Sequence, residues 1–64
     1  MRIVVNGEEI ETQAETLDQL LDELGHDHVK VATALNGEHV PKSGRHVFFV
    51  AGDRVEIISM RQGG

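Results

Sequence analysis

Apolar residues alternate at the start of the chain, with Met1, Ile3 and Val5 set against Arg2, Val4 and Asn6, the period of a strand that buries one face. Asn6-Gly7 follows, a dipeptide suited to the positive φ angles of a tight two-residue turn, so the chain is predicted to open with a hairpin. Its second strand runs from Glu8 to Thr12, where Ile10 stands between Glu9 and Glu11 as on an outer strand with one wet face. The period then changes. Leu17, Leu20, Leu21 and Leu24 fall on one stripe of a helix, with Asp18, Gln19, Asp22 and Glu23 opposite. Thr16 stands three residues before Gln19, so its hydroxyl can accept from the Gln19 backbone while the Gln19 side chain reaches back, a capping box. Gly25 supplies the stop.

Beyond a polar loop, Val29 to Leu35 is rich in β-branched and small apolar residues and predicts a third strand. Asn36-Gly37 repeats the hairpin signal ahead of Glu38-His39-Val40, a strand that Pro41 keeps short or peripheral. Lys42 to Arg45 reads as a surface turn. Val47 to Val50 is apolar and holds the only aromatics, Phe48 and Phe49, and fits either a short strand or irregular core filler. After a Gly52-Asp53 turn, Val55, Ile57 and Ser59 alternate with Arg54, Glu56, Ile58 and Met60 in a last strand. One helix covering one face of a mixed four- to five-stranded sheet makes an α+β roll. A crossover helix lets the last strand lie parallel to the first near the sheet centre, the β-grasp arrangement of ubiquitin. Residues 1–64 are thus expected to form one domain, with 61–64 projecting as a free, mobile arm.

Composition narrows the function. In 64 residues, 39% hydrophobic, a folded chain buries only about 60% of the surface it exposes when unfolded, which leaves no room for a large internal catalytic pocket. Without cysteine there is no disulfide, thiolate metal ligand or thiol nucleophile. Eleven acidic residues against six Lys and Arg give a net charge of -5, which repels phosphate backbones and anionic lipid. Neither nucleic acid nor membrane is expected as a partner; a protein with a basic docking face is. Val47 to Ala51, the longest apolar run, is far short of the roughly 20 residues of a bilayer span, and too few apolar residues follow Arg2 for a signal peptide. A cytoplasmic monomer is expected.

Little of the chain reads as catalytic. His26 and His28 are two apart on a loop with no third ligand near, a solvated pair rather than a metal site, and His39 and His46 read the same way. Ser43 and Ser59 lack a nucleophile context. Asp18, Asp22 and Glu23 form a solvated helix face. Because a single helix covers one side of a sheet, Phe48, Phe49, Ile58 and Met60 are candidates for an exposed apolar docking patch, with core packing the competing fate of each. The remaining candidate is the end of the chain. Gly63 and Gly64 lack Cβ atoms and can thread a narrow channel, although a frayed end would look the same. A terminal carboxylate, with an unperturbed pKa of about 3.5, is ionised and resists substitution until a nucleotide converts it to an acyl-adenylate. No Gly-rich loop with a following Lys and no paired acidic ligands are present to bind ATP and Mg²⁺, so another protein must activate it.

The order of these motifs resembles a known family. Met1-Arg2-Ile3-Val4-Val5-Asn6-Gly7-Glu8, the Thr16-Leu17-x-x-Leu20-Leu21-x-x-Leu24 helix, Ala34-Leu35-Asn36-Gly37-Glu38-His39-Val40-Pro41, Gly52-Asp53-Arg54-Val55-Glu56-Ile57-Ile58 and Gly63-Gly64 together look like ThiS, the sulfur carriers of thiamine biosynthesis. The likeness runs over nearly the whole chain. It implies that the protein is no enzyme and holds no cofactor, and that an adenylating enzyme of the ThiF type consumes ATP and Mg²⁺ to activate the Gly64 carboxylate. A sulfur donor such as a cysteine desulfurase then converts it to a thiocarboxylate, and a thiazole synthase of the ThiG type takes the sulfur. Gly64 would carry the cargo and Gly63 permit extended entry, while Arg61 and Gln62 contact the walls of the partner's channel. A carrier for molybdopterin synthesis or another thiolation, a ubiquitin-like modifier of lysines, and a plain interaction module remain alternatives.

Overall fold

The computed structural model describes residues 1–60. Strand β1 (Arg2–Val5) turns back into β2 (Glu8–Glu11), helix α1 (Leu17–Leu24) follows, then β3 (Val31–Leu35), β4 (Glu38–Val40) and β5 (Arg54–Ser59). The strands form one sheet in the order β2-β1-β5-β3-β4. β5 lies parallel to β1, with Val5 opposite Val55, and antiparallel to β3, from Val31 opposite Ser59 to Leu35 opposite Val55. The last strand therefore sits in the middle, as the crossover argument requires.

Both hairpins turn on their Asn-Gly pairs. Asn6 and Gly7 have φ of 51° and 83°, and Asn36 and Gly37 of 50° and 86°, the left-handed angles of a two-residue turn. The two asparagines then bind β5. Asn6 Nδ2 donates to the Ile57 carbonyl (3.1 Å) and the Ile57 N–H donates to Asn6 Oδ1 (2.8 Å), so a side-chain amide extends the β1–β5 ladder past the end of β1. On the other flank the Arg54 N–H donates to Asn36 Oδ1 (2.9 Å).

Helix α1 begins where expected, with Thr16 Oγ1 accepting from the Gln19 N–H at 3.3 Å. The reciprocal bond is shifted by one residue: Gln19 Oε1 accepts from the N–H of Glu15 at 2.8 Å rather than from that of Thr16. Gly25, with φ 80°, closes the helix, donating to the Asp22 carbonyl (3.1 Å) while His26 donates to that of Leu21 (2.9 Å). Leu17, Leu20 and Leu21 are fully buried, whereas Leu24, in the last turn, is 41% exposed. The leucines meet Ile3, Val31, Val55 and Ile57 from the sheet, with Ala14 and Phe49 filling the flank.

Two expected elements differ. Val29 belongs to a 3₁₀ turn (His28–Lys30) and is exposed, so the third strand starts only at Val31. Asp27 causes this, its Oδ1 accepting from the Val29 N–H (3.1 Å) and its carbonyl from the Lys30 N–H (3.0 Å). Val47 to Val50 is irregular rather than a strand, and only Phe49 of the four fills the core, Val47, Phe48 and Val50 being exposed: Phe48 makes an isolated bridge to Thr16, and the Phe49 N–H donates to the Glu15 carbonyl at 2.8 Å.

Candidate functional site at the end of the central strand

β5, the central strand of the sheet, is the last element before residues 61–64. Beyond Ser59 the Met60 N–H still donates to the Lys30 carbonyl (2.8 Å), which holds the last described residue against the sheet. Arg61, Gln62, Gly63 and Gly64 lie outside the described residues.

The other candidates divide. Ile58, opposite Ala32, and Met60 are 60% and 52% exposed and lie at the exit of β5. Phe48 is 73% exposed but stands against Thr16, ahead of the helix, in a different part of the fold. Phe49 is 5% exposed and packs in the core, so it cannot belong to a docking patch. Adjacent residues of an extended segment point to opposite sides, which is why one phenylalanine is inside and its neighbour outside.

Arg45 escapes sequence reasoning. Read as a turn residue, it is 3% exposed and organises the edge of the sheet next to the exit. Its Nε donates to Thr33 Oγ1 (3.0 Å), one terminal nitrogen to the His28 carbonyl (2.7 Å) and the other to that of Val31 (2.9 Å). Thr33 Oγ1 in turn donates to the Val40 carbonyl (2.8 Å). Because Pro41 ends β4 opposite Thr33, Val31 has no β4 partner, and the guanidinium supplies the missing donor. The one available signal was that a proline-truncated strand leaves carbonyls for something to satisfy.

The helix acids are also less solitary than a solvated face suggests. His28 Nε2 lies 2.7 Å from Asp22 Oδ1, and its Nδ1 lies 3.6 Å from Asp18 Oδ1. Thr12 Oγ1 donates to Glu23 Oε2 (2.6 Å), tying the helix to the end of the first hairpin. Among the described residues no three His, Asp or Glu side chains are placed to hold a metal ion, and no helix is long and apolar enough to cross a membrane.

A five-stranded mixed sheet with its last strand central and parallel to its first, wrapped around one helix, defines a β-grasp domain of the ubiquitin-like class. The crystal structure of a thiamine biosynthesis protein (ThiS) from Geobacter metallireducens superposes with a TM-score of 0.79 at 29% identity, over 100% of both chains. A protein named thiazole synthase from Paramagnetospirillum magneticum is 46% identical over 66 aligned residues, which take in 100% of this chain and 20% of that protein. The chain thus spans about a fifth of that relative's length. Residues 2–64 match the model of the ThiS family, and the chain belongs to that family.

Proposed function

We propose that this protein is a sulfur carrier of thiamine biosynthesis whose Gly64 carboxylate is the cargo site. The observation that carries the reading is the placement of β5. A central strand, paired on both sides, ends at Ser59 beside the exposed Met60, so that only Arg61-Gln62-Gly63-Gly64 follows before the carboxylate of Gly64. Membership of the ThiS family supports it.

The chemistry belongs to the partners. A carboxylate oxygen attacks the α-phosphorus of Mg²⁺-bound ATP in an adenylating enzyme, forming the acyl-adenylate and releasing pyrophosphate. A persulfide sulfur then displaces AMP at the carbonyl, and reduction of the resulting S–S bond by a thiol leaves the thiocarboxylate. Gly63 and Gly64 offer no side chain to obstruct a narrow channel, Arg61 and Gln62 contact its walls, and Ile58 and Met60 meet the partner's surface. Thiazole synthase is the favoured acceptor over molybdopterin synthesis because a relative bearing that name carries a region like this chain within its own length.

Intact mass after incubation with the adenylating enzyme, ATP and a persulfide donor tests this. One oxygen should be replaced by sulfur in the full chain and not in a chain lacking Gly64. Thiazole formation supported by the truncated chain would overturn the reading, and a Gly64 isopeptide on other proteins would point to a modifier instead.

A further inference from the structure

Beside the exit of β5 lies a groove of ≈ 360 Å³ with apolar walls from Val29, Val40, Pro41 and Met60. Its titratable lining is entirely basic: His28, His39, Lys42 and the buried Arg45, in a chain whose net charge is -5. Three of the five N–H groups of Arg45 are committed to Thr33, His28 and Val31. Among the described residues, no ion pair involves His39, Lys42 or Arg45. His28 is the exception, its ring lying against Asp22 and Asp18 of the helix, so the uncancelled positive charge of the groove is that of Lys42 and Arg45.

The length of the tail brings a partner to this place. Four residues, however arranged, reach at most about 14 Å. An enzyme that holds the Gly64 carboxylate in its active site must therefore bring the mouth of that site up to Met60, which is itself part of the groove wall. We propose that the groove is a docking site for the rim of the activating enzyme, taking one apolar side chain flanked by one or more carboxylates. The inference rests on the carrier reading above and adds a second point of recognition to the tail. It also separates two roles of charge: the acidic remainder of the chain governs long-range approach, while the groove selects a local acidic and apolar feature.

Steady-state adenylation kinetics with the carrier as varied substrate provide the test, using variants at two exposed positions that flank the groove, Val29 in the 3₁₀ turn His28–Lys30 and Lys42 in a second 3₁₀ turn, Lys42–Gly44. Lys42→Glu should raise KM about tenfold with kcat unchanged, since a rim charge acts on encounter and docking rather than on the reaction. That gap should narrow in high salt, where exposed charges are screened. Val29→Ser, which removes an apolar wall, should raise KM several-fold, whereas Arg54→Glu at the opposite end of β5 should stay within about twofold. The groove assignment is overturned if Lys42→Glu and Val29→Ser both match the wild type, or if Arg54→Glu is as harmful as Lys42→Glu. Failure of the wild-type chain to be adenylated at all would instead overturn the carrier reading, and this inference with it.

Discussion

Single side chains carry much of the stability at the exit of the chain. Arg45 satisfies two backbone carbonyls and a threonine hydroxyl at a place where the sheet runs out of strand. Arg45→Met keeps the bulk and strands those acceptors, so it should cost about 2–3 kcal/mol, read as a lower urea midpoint at constant slope. Asn6 is as exacting, because its amide both donates to and accepts from Ile57. In Asn6→Asp a carboxylate oxygen would face the Ile57 carbonyl, a loss of about 1–2 kcal/mol in the same assay. Glu11 is held below the ordinary glutamate pKa, first by a hydrogen bond and then by the charge of the Met1 α-ammonium, whose nitrogen lies 3.1 Å away, with Arg2 adding to it. A lowered folded-state pKa means that the stabilisation is full above the unfolded pKa and is lost as pH falls through the folded one. Glu11→Gln should therefore melt below the wild type at neutral pH, and the two curves should converge as the pH falls below about 4.3.

At the scale of elements, local chemistry explains what could be read in advance and tertiary contact explains what could not. The two Asn-Gly turns, the leucine stripe and the alternation of β5 are written in neighbouring residues, so each was legible. Helix α1 is short and depends on its ends. Thr16→Ala should cost about 1 kcal/mol, and Gly25→Ala about 1 kcal/mol more, because an alanine is strained at φ 80°. Thermal melts of the two variants and their combination would check both values, and well-separated caps should add. Val29 and Phe49 were less legible. The β-branched Val29 suits a strand, but the Asp27 carboxylate captures its N–H first. Phe48 and Phe49 differ only in the side on which the segment lies against Glu15 and Thr16, a contact made across a long loop of sequence. Arg45 was hidden for a related reason, since a charged residue in a polar run looks solvated until the missing β4 partner of Val31 is known.

Over the whole molecule, the core and the site are separate assets. Ile3, the three buried leucines, Val55 and Ile57 all lie before Met60, so removing Gly64 should leave the melting temperature unchanged while abolishing thiocarboxylate formation. Paired melting and mass measurements on the same truncated sample would check that separation. The topology follows from element order, while the role proposed for the tail comes from the chemistry of a carboxylate together with family resemblance. The central position of β5 has a mechanical consequence as well. Its parallel neighbour is β1, so traction applied between the first residues and the last loads the β1–β5 ladder lengthwise, and its hydrogen bonds must yield together rather than unzip one by one. A machine hauling on the terminal glycines would shear that ladder rather than peel it, so a cargo held there, as proposed, could be drawn on without unravelling the handle.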